Sequence, residues 1–420
     1  MKRILVFISL LLPIVASAQF TTNSTMVLLQ TNECVNIQKI KYFTDVKSIA
    51  LSKDSLSGIY SFYILKEGAS NVWRITIDYP ISVINDFEII DDMLYFCGAD
   101  NGYGVIGQLS LSNITNINII SLPFLKEASK IKLRNISGVT HVFGIGMSYT
   151  LPVNLNNYIF DAFSNGTNFI CSAYSCFPNE DVELFTDIDL TNQYIAVVGY
   201  HKSSTRLMVW KRGCNNNTNT FDPFKSTRSF IDYVVDNKFL IKHTTNDNVA
   251  ITYLQEDNSN NSFLHVNTMD IDSFTLISSI MFQSNPYSLK AIDYVAPLNR
   301  LLVLQSDQHM FNTISYCTLS SLTYQPIPRA VISGIYLTDL NLYRDSSYTA
   351  VGTNTNNNLI LFNKTHYDYS ETCNTFDEVK NISITTTFKQ HIDLHYHPFV
   401  LSSQHYNITL YEEPIKILCK

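Results

Sequence analysis

The sequence predicts an all-β fold, a β-propeller of seven or eight blades with three to four antiparallel strands in each. Three observations predict it. Short apolar runs rich in Val, Ile, Tyr and Phe alternate with Asn, Asp, Ser and Gly clusters along the chain, which is the pattern of strands and tight turns rather than helices. A four-residue phrase recurs eight times, starting at Ser48, Asp86, Lys130, Asp187, Asp232, Asp293, Asp339 and Asp393, in steps of 38 to 61 residues. After a polar turn, each phrase is followed by a second apolar run. Blades of this kind have two faces to cover, and a closed ring covers both while leaving no long open edge. Eight copies favour eight blades; seven remain open, because the Ser48 and Lys130 copies lack the Asp.

In chain order, residues 1–18 read as an export segment. Lys2 and Arg3 give a positive start, Ile4 to Val15 is an apolar run, and Ala16-Ser17-Ala18 is a small-residue cleavage site. The run is too short to span a bilayer, and no later stretch is long and apolar enough to do so. The mature chain is therefore expected to begin near Gln19, to form one propeller domain over 19–420, and to be secreted or held in the periplasm or at the cell surface. Met26–Leu29 and Cys34–Ile37 read as strands that close the ring against Ile415–Cys419. The clearest second runs are Leu94-Tyr-Phe-Cys-Gly98, Val142-Phe-Gly-Ile-Gly146, Ile195-Ala-Val-Val-Gly199 and Tyr348-Thr-Ala-Val-Gly352. The polar tracts 215–220, 258–262 and 354–358 read as surface loops, not domain linkers. Trp73 and Trp210 read as core.

The formal charge is −7, becoming −9 without Lys2 and Arg3, and no basic stripe interrupts it. That excludes nucleic acid and anionic membrane as partners. Of the eight cysteines, Cys171 and Cys176 make the shortest loop for a disulfide in an oxidising compartment. The remaining connectivity is open, and Cys97, inside a strand run, reads as a buried thiol. There is no C-x-x-C, and no cofactor is expected.

Two groups of residues are candidates for chemistry. The recurring acids Asp86, Asp187, Asp232, Asp293, Asp339 and Asp393 would stand at equivalent places on channel-lining strands. They read either as a ring able to hold a hard cation such as calcium or as acceptors for backbone amides at each blade entry. Repetition favours the structural role, since sites rarely repeat with the blade. The other group is asymmetric. His391, Asp393, His395 and His397 alternate with apolar residues, so on one strand they would share a face, with same-face neighbours roughly 7 Å apart. That spacing suits a shared metal or a general base at a channel mouth. No G-x-S-x-G, H-E-x-x-H, P-loop or G-x-G-x-x-G motif accompanies it.

The phrase Asn85-Asp-Phe-Glu-Ile-Ile-Asp-Asp-Met-Leu-Tyr-Phe-Cys-Gly98 resembles those of uncharacterised secreted β-propeller repeat proteins of Bacteroidetes. The resemblance implies an exported propeller and brings no catalytic residue with it. The expected role is a binding or scaffold module for a protein, peptide or glycan. The alternative is a channel-sited hydrolase or lyase using His391, Asp393, His395 and His397.

Overall fold

The computed structural model describes residues 24–419 except for intervening segments, the longest being 30–34, 176–181, 214–224, 307–311, 327–334 and 366–388. The expected export segment 1–18 lies outside the described residues, as do Asp232 and Asp393. Nearly every described element is a β-strand. No described helix is long and apolar enough to cross a membrane.

Among the described residues the strands form seven four-stranded antiparallel blades. Blades 1 to 6 occupy 35–77, 83–122, 127–175, 182–230, 234–284 and 288–326. Blade 7 takes three strands from 335–365, and its fourth is the N-terminal strand Ser24–Leu29, which pairs with Leu359–Lys364. The innermost strands are, in order, Val35–Thr44, Val83–Ile90, Glu127–Ile136, Val182–Leu190, Val234–His243, Ser288–Val295 and Ile335–Tyr343. Each touches the next and the last touches the first, so the ring is closed.

Both faces of a blade are buried, and this explains why the second runs are continuously apolar instead of alternating. Leu94 and Phe96 pack with Phe62 and Phe87 of the seam between blades 1 and 2. Tyr95 and Cys97, on the opposite face of the same strand, pack with Phe160 and Cys171 of the seam between blades 2 and 3. Every seam has an apolar cluster of its own, seven in all among the described residues. Burying an aromatic of this size contributes about 1.5–3 kcal/mol, and Phe62 meets Phe87 edge to face at 5.4 Å.

Of the eighth phrase, at Asp393, only His395 and Tyr396 are described, and they lie on an added edge strand. The C-terminal chain adds a fifth, outermost strand to one blade after another. Lys389–His391 pairs with Lys225–Thr227 of blade 4, and His395–Leu401 with Phe169–Ser175 of blade 3. Ser403–Cys419 then runs along blade 2 (Asn116–Ile120), blade 1 (Asn71–Ile77) and the N-terminal strand of blade 7 (Met26–Leu29). The predicted closure of Met26–Leu29 against Ile415–Cys419 is thus present. Val35–Thr44, which contains Val35–Ile37 of the other predicted closing segment, is the inner strand of blade 1, and the Ser48 phrase lies on that blade's second strand; Cys34 is outside the described residues.

Two further expectations are corrected. Trp73 is 46% exposed on the fourth strand of blade 1, beside the C-terminal strand. Trp210 lies on the third strand of blade 4, and its side chain is outside what the structure describes. Cys171 is a free thiol, as are Cys97 and Cys317. Its strand directs it into the seam between blades 2 and 3, where it is buried among apolar side chains; Cys176 lies outside the described residues. Burial pushes the Cys97 and Cys317 thiols up to about 12, so none of these sulfurs is a ready nucleophile.

Candidate functional site

The inner strands bulge at matching places, between Ile37 and Lys39, Ile84 and Asp86, Ala128 and Lys130, Phe185 and Asp187, Leu289 and Ala291, and Leu337 and Asp339. A bulge locally re-aims the strand, and the residues that follow it hold the blades together. The Ile40 amide donates to Asp339 Oδ2 (2.9 Å), the Ile131 amide to Asp86 Oδ2 (3.1 Å) and the Ile241 amide to Asp187 Oδ2 (3.0 Å). Each of these carboxylates therefore accepts an N–H from the next blade, and Asp86 Oδ1 also accepts its own Phe87 amide (2.9 Å). For Asp86, Asp187, Asp293 and Asp339 the geometry shows the expected amide-acceptor role, with the donor on the neighbouring inner strand; Asp232 and Asp393 lie outside the described residues.

Two residues further on, the seven strands present Lys41, Glu88, Lys132, Asp189, Lys242, Asp293 and Asn341. Around the ring the charges alternate, and the odd seventh place is neutral. Lys41 Nζ is 3.0 Å from Glu88 Oε1, and Lys132 Nζ is 2.9 Å from Glu88 Oε1 and 3.7 Å from Asp189 Oδ1. Lys242 Nζ is 2.6 Å from Asp293 Oδ1. Asn341 fits the break in alternation by doing both jobs. Its Nδ2 donates to Asp293 Oδ2 (3.3 Å) and its Oδ1 accepts the Tyr42 amide (2.9 Å).

The partners decide the charge states. Burial alone would raise the Glu88 carboxyl, but Lys132, Lys41 and Lys39 hold it well below the usual carboxylate range. Burial opposes the Lys132 cation, yet Glu88, Asp189 and Asp187 raise it above an ordinary lysine. Asp189 is lowered and Lys242 raised in the same way, in each case against burial. One tier deeper the balance reverses. Burial, with Lys130 and Lys41 nearby, pushes Lys39 well below its ordinary value although it pairs with Asp86. Burial raises Asp339 against Lys39 and Lys41, and brings Lys238 down to about 8, helped by Lys130 and Lys290.

The ring opens into a cavity of about 400 Å³ at one mouth of the channel. Its charged wall is Lys41, Glu88, Lys132, Arg134, Asp189 and Lys242. Arg134 is anchored to the turn that starts blade 4's second strand, donating to the carbonyls of Thr191 and Asn192 (the latter at 3.2 Å). A second cavity of about 380 Å³, between blades 5 and 6, is walled by uncharged residues such as Thr244, Asn248, Asn299 and Leu319.

His391, His395 and His397 are not at this channel, and Asp393 lies outside the described residues. His391 ends a strand on the outer edge of blade 4, opposite Lys225. His395 and His397 lie on the outer edge of blade 3, opposite Ser175 and Ala173. The expected single strand is divided: Lys389–His391 pairs with blade 4 and His395–Leu401 with blade 3. Sequence reasoning missed the lysines and Asn341. Their signal was present in the repeat itself, where Lys130-Ile-Lys132-Leu stands in register with Asp86-Phe-Glu88-Ile.

No protein-family model matches the chain, and no curated protein matches it. Among solved structures the chain is similar to YCF48 from Cyanidioschyzon merolae, at 9% identity and a TM-score of 0.47, covering 80% of this chain and 98% of that one. It is also similar to Hsv2 of Kluyvelomyces marxianus, at 10% identity and a TM-score of 0.28, covering 64% and 88%. At such distances the propeller assignment stands on the strand pairing described above.

Proposed function

We propose that the chain is an exported propeller that serves as a binding or scaffold module, with a protein, peptide or glycan held at the mouth of its channel. The observation that carries this reading is the 400 Å³ cavity where the inner-strand ends converge. It is concave, polar, and built on strands fixed by buried ion pairs, which is the rigid setting in which binding groups keep their positions. Export is read from residues 1–18 alone, and N-terminal sequencing of the native protein should begin near Gln19. A channel-sited hydrolase or lyase finds no support, since His391, His395 and His397 are on outer blade edges.

The binding reading is tested by glycan and peptide arrays, followed by hydrogen exchange on the mature chain with each hit. Slowed exchange is expected at 41–42, 88–90, 132–134 and 189–190. Protection confined to the outer rim would overturn the location, and an absence of any hit would overturn the reading.

A further inference from the structure

We infer that the channel mouth is a receptor for a carboxylate, which seats beside Lys41 at the one uncharged position of the alternating ring. The inference rests on the mouth being a binding site and names the chemistry of what it binds. Six charges alternate perfectly, but a ring of seven places cannot. Lys132 stands between Glu88 and Asp189, and Lys242 has Asp293 on one side with Asp189 on the other. Lys41 has Glu88 on one side and, on the other, the amide of Asn341, whose oxygen is already taken by the Tyr42 N–H and whose nitrogen faces Asp293. Among the described residues of the ring, Lys41 is thus the lysine flanked by a single carboxylate.

The cavity makes that place reachable. Lys41 and Asn341 both line it. Its wall carries Lys41, Lys132, Arg134 and Lys242 against Glu88 and Asp189; the buried Asp293 neutralises Lys242, which leaves three cations facing two carboxylates. A cation excess on a concave wall draws in anions. A carboxylate is the anion that fits in kind, because two carboxylates already flank Lys132 in the same tier. Asp339, one tier deeper, attracts Lys41 through space, but its Oδ2 accepts the Ile40 amide and no ion pair joins it to Lys41 among the described residues, so the place beside Lys41 in the ring itself is left to a ligand.

The test is calorimetric titration of the mature chain with sodium succinate, with a hexaglutamate peptide, and with an uncharged hexapeptide of Gln and Ser, all at equal ionic strength. Hexaglutamate is expected to bind and the uncharged peptide not to. Lys41→Gln should weaken binding by about tenfold or more. Asn341→Asp, which places an internal carboxylate beside Lys41, should do the same, with the fold of both variants checked by circular dichroism. Binding of succinate as well assigns recognition to the carboxylate itself; binding of the peptide alone assigns it to an acidic segment of a protein partner. If neither anion binds, or if folded Asn341→Asp binds as the wild type does, the inference is overturned. A neutral ligand that protects the mouth from exchange, with no carboxylate binding, would overturn the carboxylate assignment alone. No mouth protection by any ligand removes the binding reading beneath it.

Discussion

A Cβ at Gly98 would collide with the backbone carbonyl of Val83, where the inner strand of blade 2 bulges toward the second. The same carbonyl contact recurs at Gly199 with Leu184 and at Gly352 with Tyr336. The glycine that closes these second runs is therefore a consequence of the bulge, not of turn chemistry. Gly98→Ala should destabilise the protein by about 2 kcal/mol in chemical denaturation, and an unchanged midpoint would show that the bulge yields. His265 poses a different problem. It is 3% exposed, lies flat on Tyr253 at 4.7 Å, and neither ring nitrogen has a hydrogen-bond partner. Burial brings its pKa from 6.5 down to about 4. A depressed histidine means that the unfolded chain binds the proton first. Its contribution is then complete above pH 6.5 and is lost as pH falls toward 4, by about 3 kcal/mol in all. His265→Phe keeps the ring stack and removes the titration. Its unfolding free energy should depend less on pH across that window than the wild type's, and an identical dependence would assign the slope to other groups.

At the scale of the element, the inner strand joins one blade to the next. Lys132 bridges the acids of blades 2 and 4, so Lys132→Met leaves Glu88 and Asp189 with fewer partners in a buried place. The expected loss at pH 7 is about 3 kcal/mol. Glu88 and Asp189 are both lowered in the fold, so the stability they bring is present above their unfolded values, 4.5 and 3.8, and is lost as pH falls below them through the lowered folded values. The gap between variant and wild type should therefore narrow in acid; a gap that stays constant would assign the cost to lost packing by the lysine stem. The sequence made these strands legible where the bulge and the charged-apolar-charged rhythm coincide, as in Asp86-Phe-Glu88-Ile and Asp187-Ile-Asp189-Leu. It misled in blade 5, whose register shift spans Val235 to Phe239. There the Ile241 amide, not the neighbourhood of Asp232, answers the Asp of the previous blade. In blade 6 Ala291 follows the bulge, so Asp293 belongs to the outer tier and not with Asp86. The alternation itself was hidden for a physical reason. The repeat register marks each place, but the partner that fixes each sign stands on a neighbouring blade 44 to 57 residues away, so the pairing is not written locally. The histidine group failed in the complementary way, since spacing implied one strand where the chain serves two blades.

For the whole molecule, the decisive feature is how the ring is shut. The N-terminal strand supplies the outermost strand of blade 7, and the C-terminal strand Ser403–Cys419 is bound successively to blades 2, 1 and 7. With Lys389–His391 on blade 4 and His395–Leu401 on blade 3, the end of the chain travels backwards around the rim. It covers edges that would otherwise present unpaired backbone groups. The closure of Met26–Leu29 with Ile415–Cys419 was readable because both are apolar runs outside the repeat; the route between them was not, because an edge strand needs only a fitting backbone. Removing 403–420 should therefore act first at the seam, not evenly around the ring. Ser24–Leu29 would keep Leu359–Lys364 as its one described partner, and the outer strands of blades 1 and 2 would become edges. At about 0.5–1.5 kcal/mol for each net ladder bond, offset by the freedom the released strand regains, the loss is on the order of 5 kcal/mol. Hydrogen exchange on the truncated chain should show amides at 24–29 and 71–77 opening before those of blades 5 and 6, whose described sheets have no fifth strand to lose. Uniform loss of protection would mean that the ring opens as one unit and that the C-terminal strand adds stability without serving as its latch.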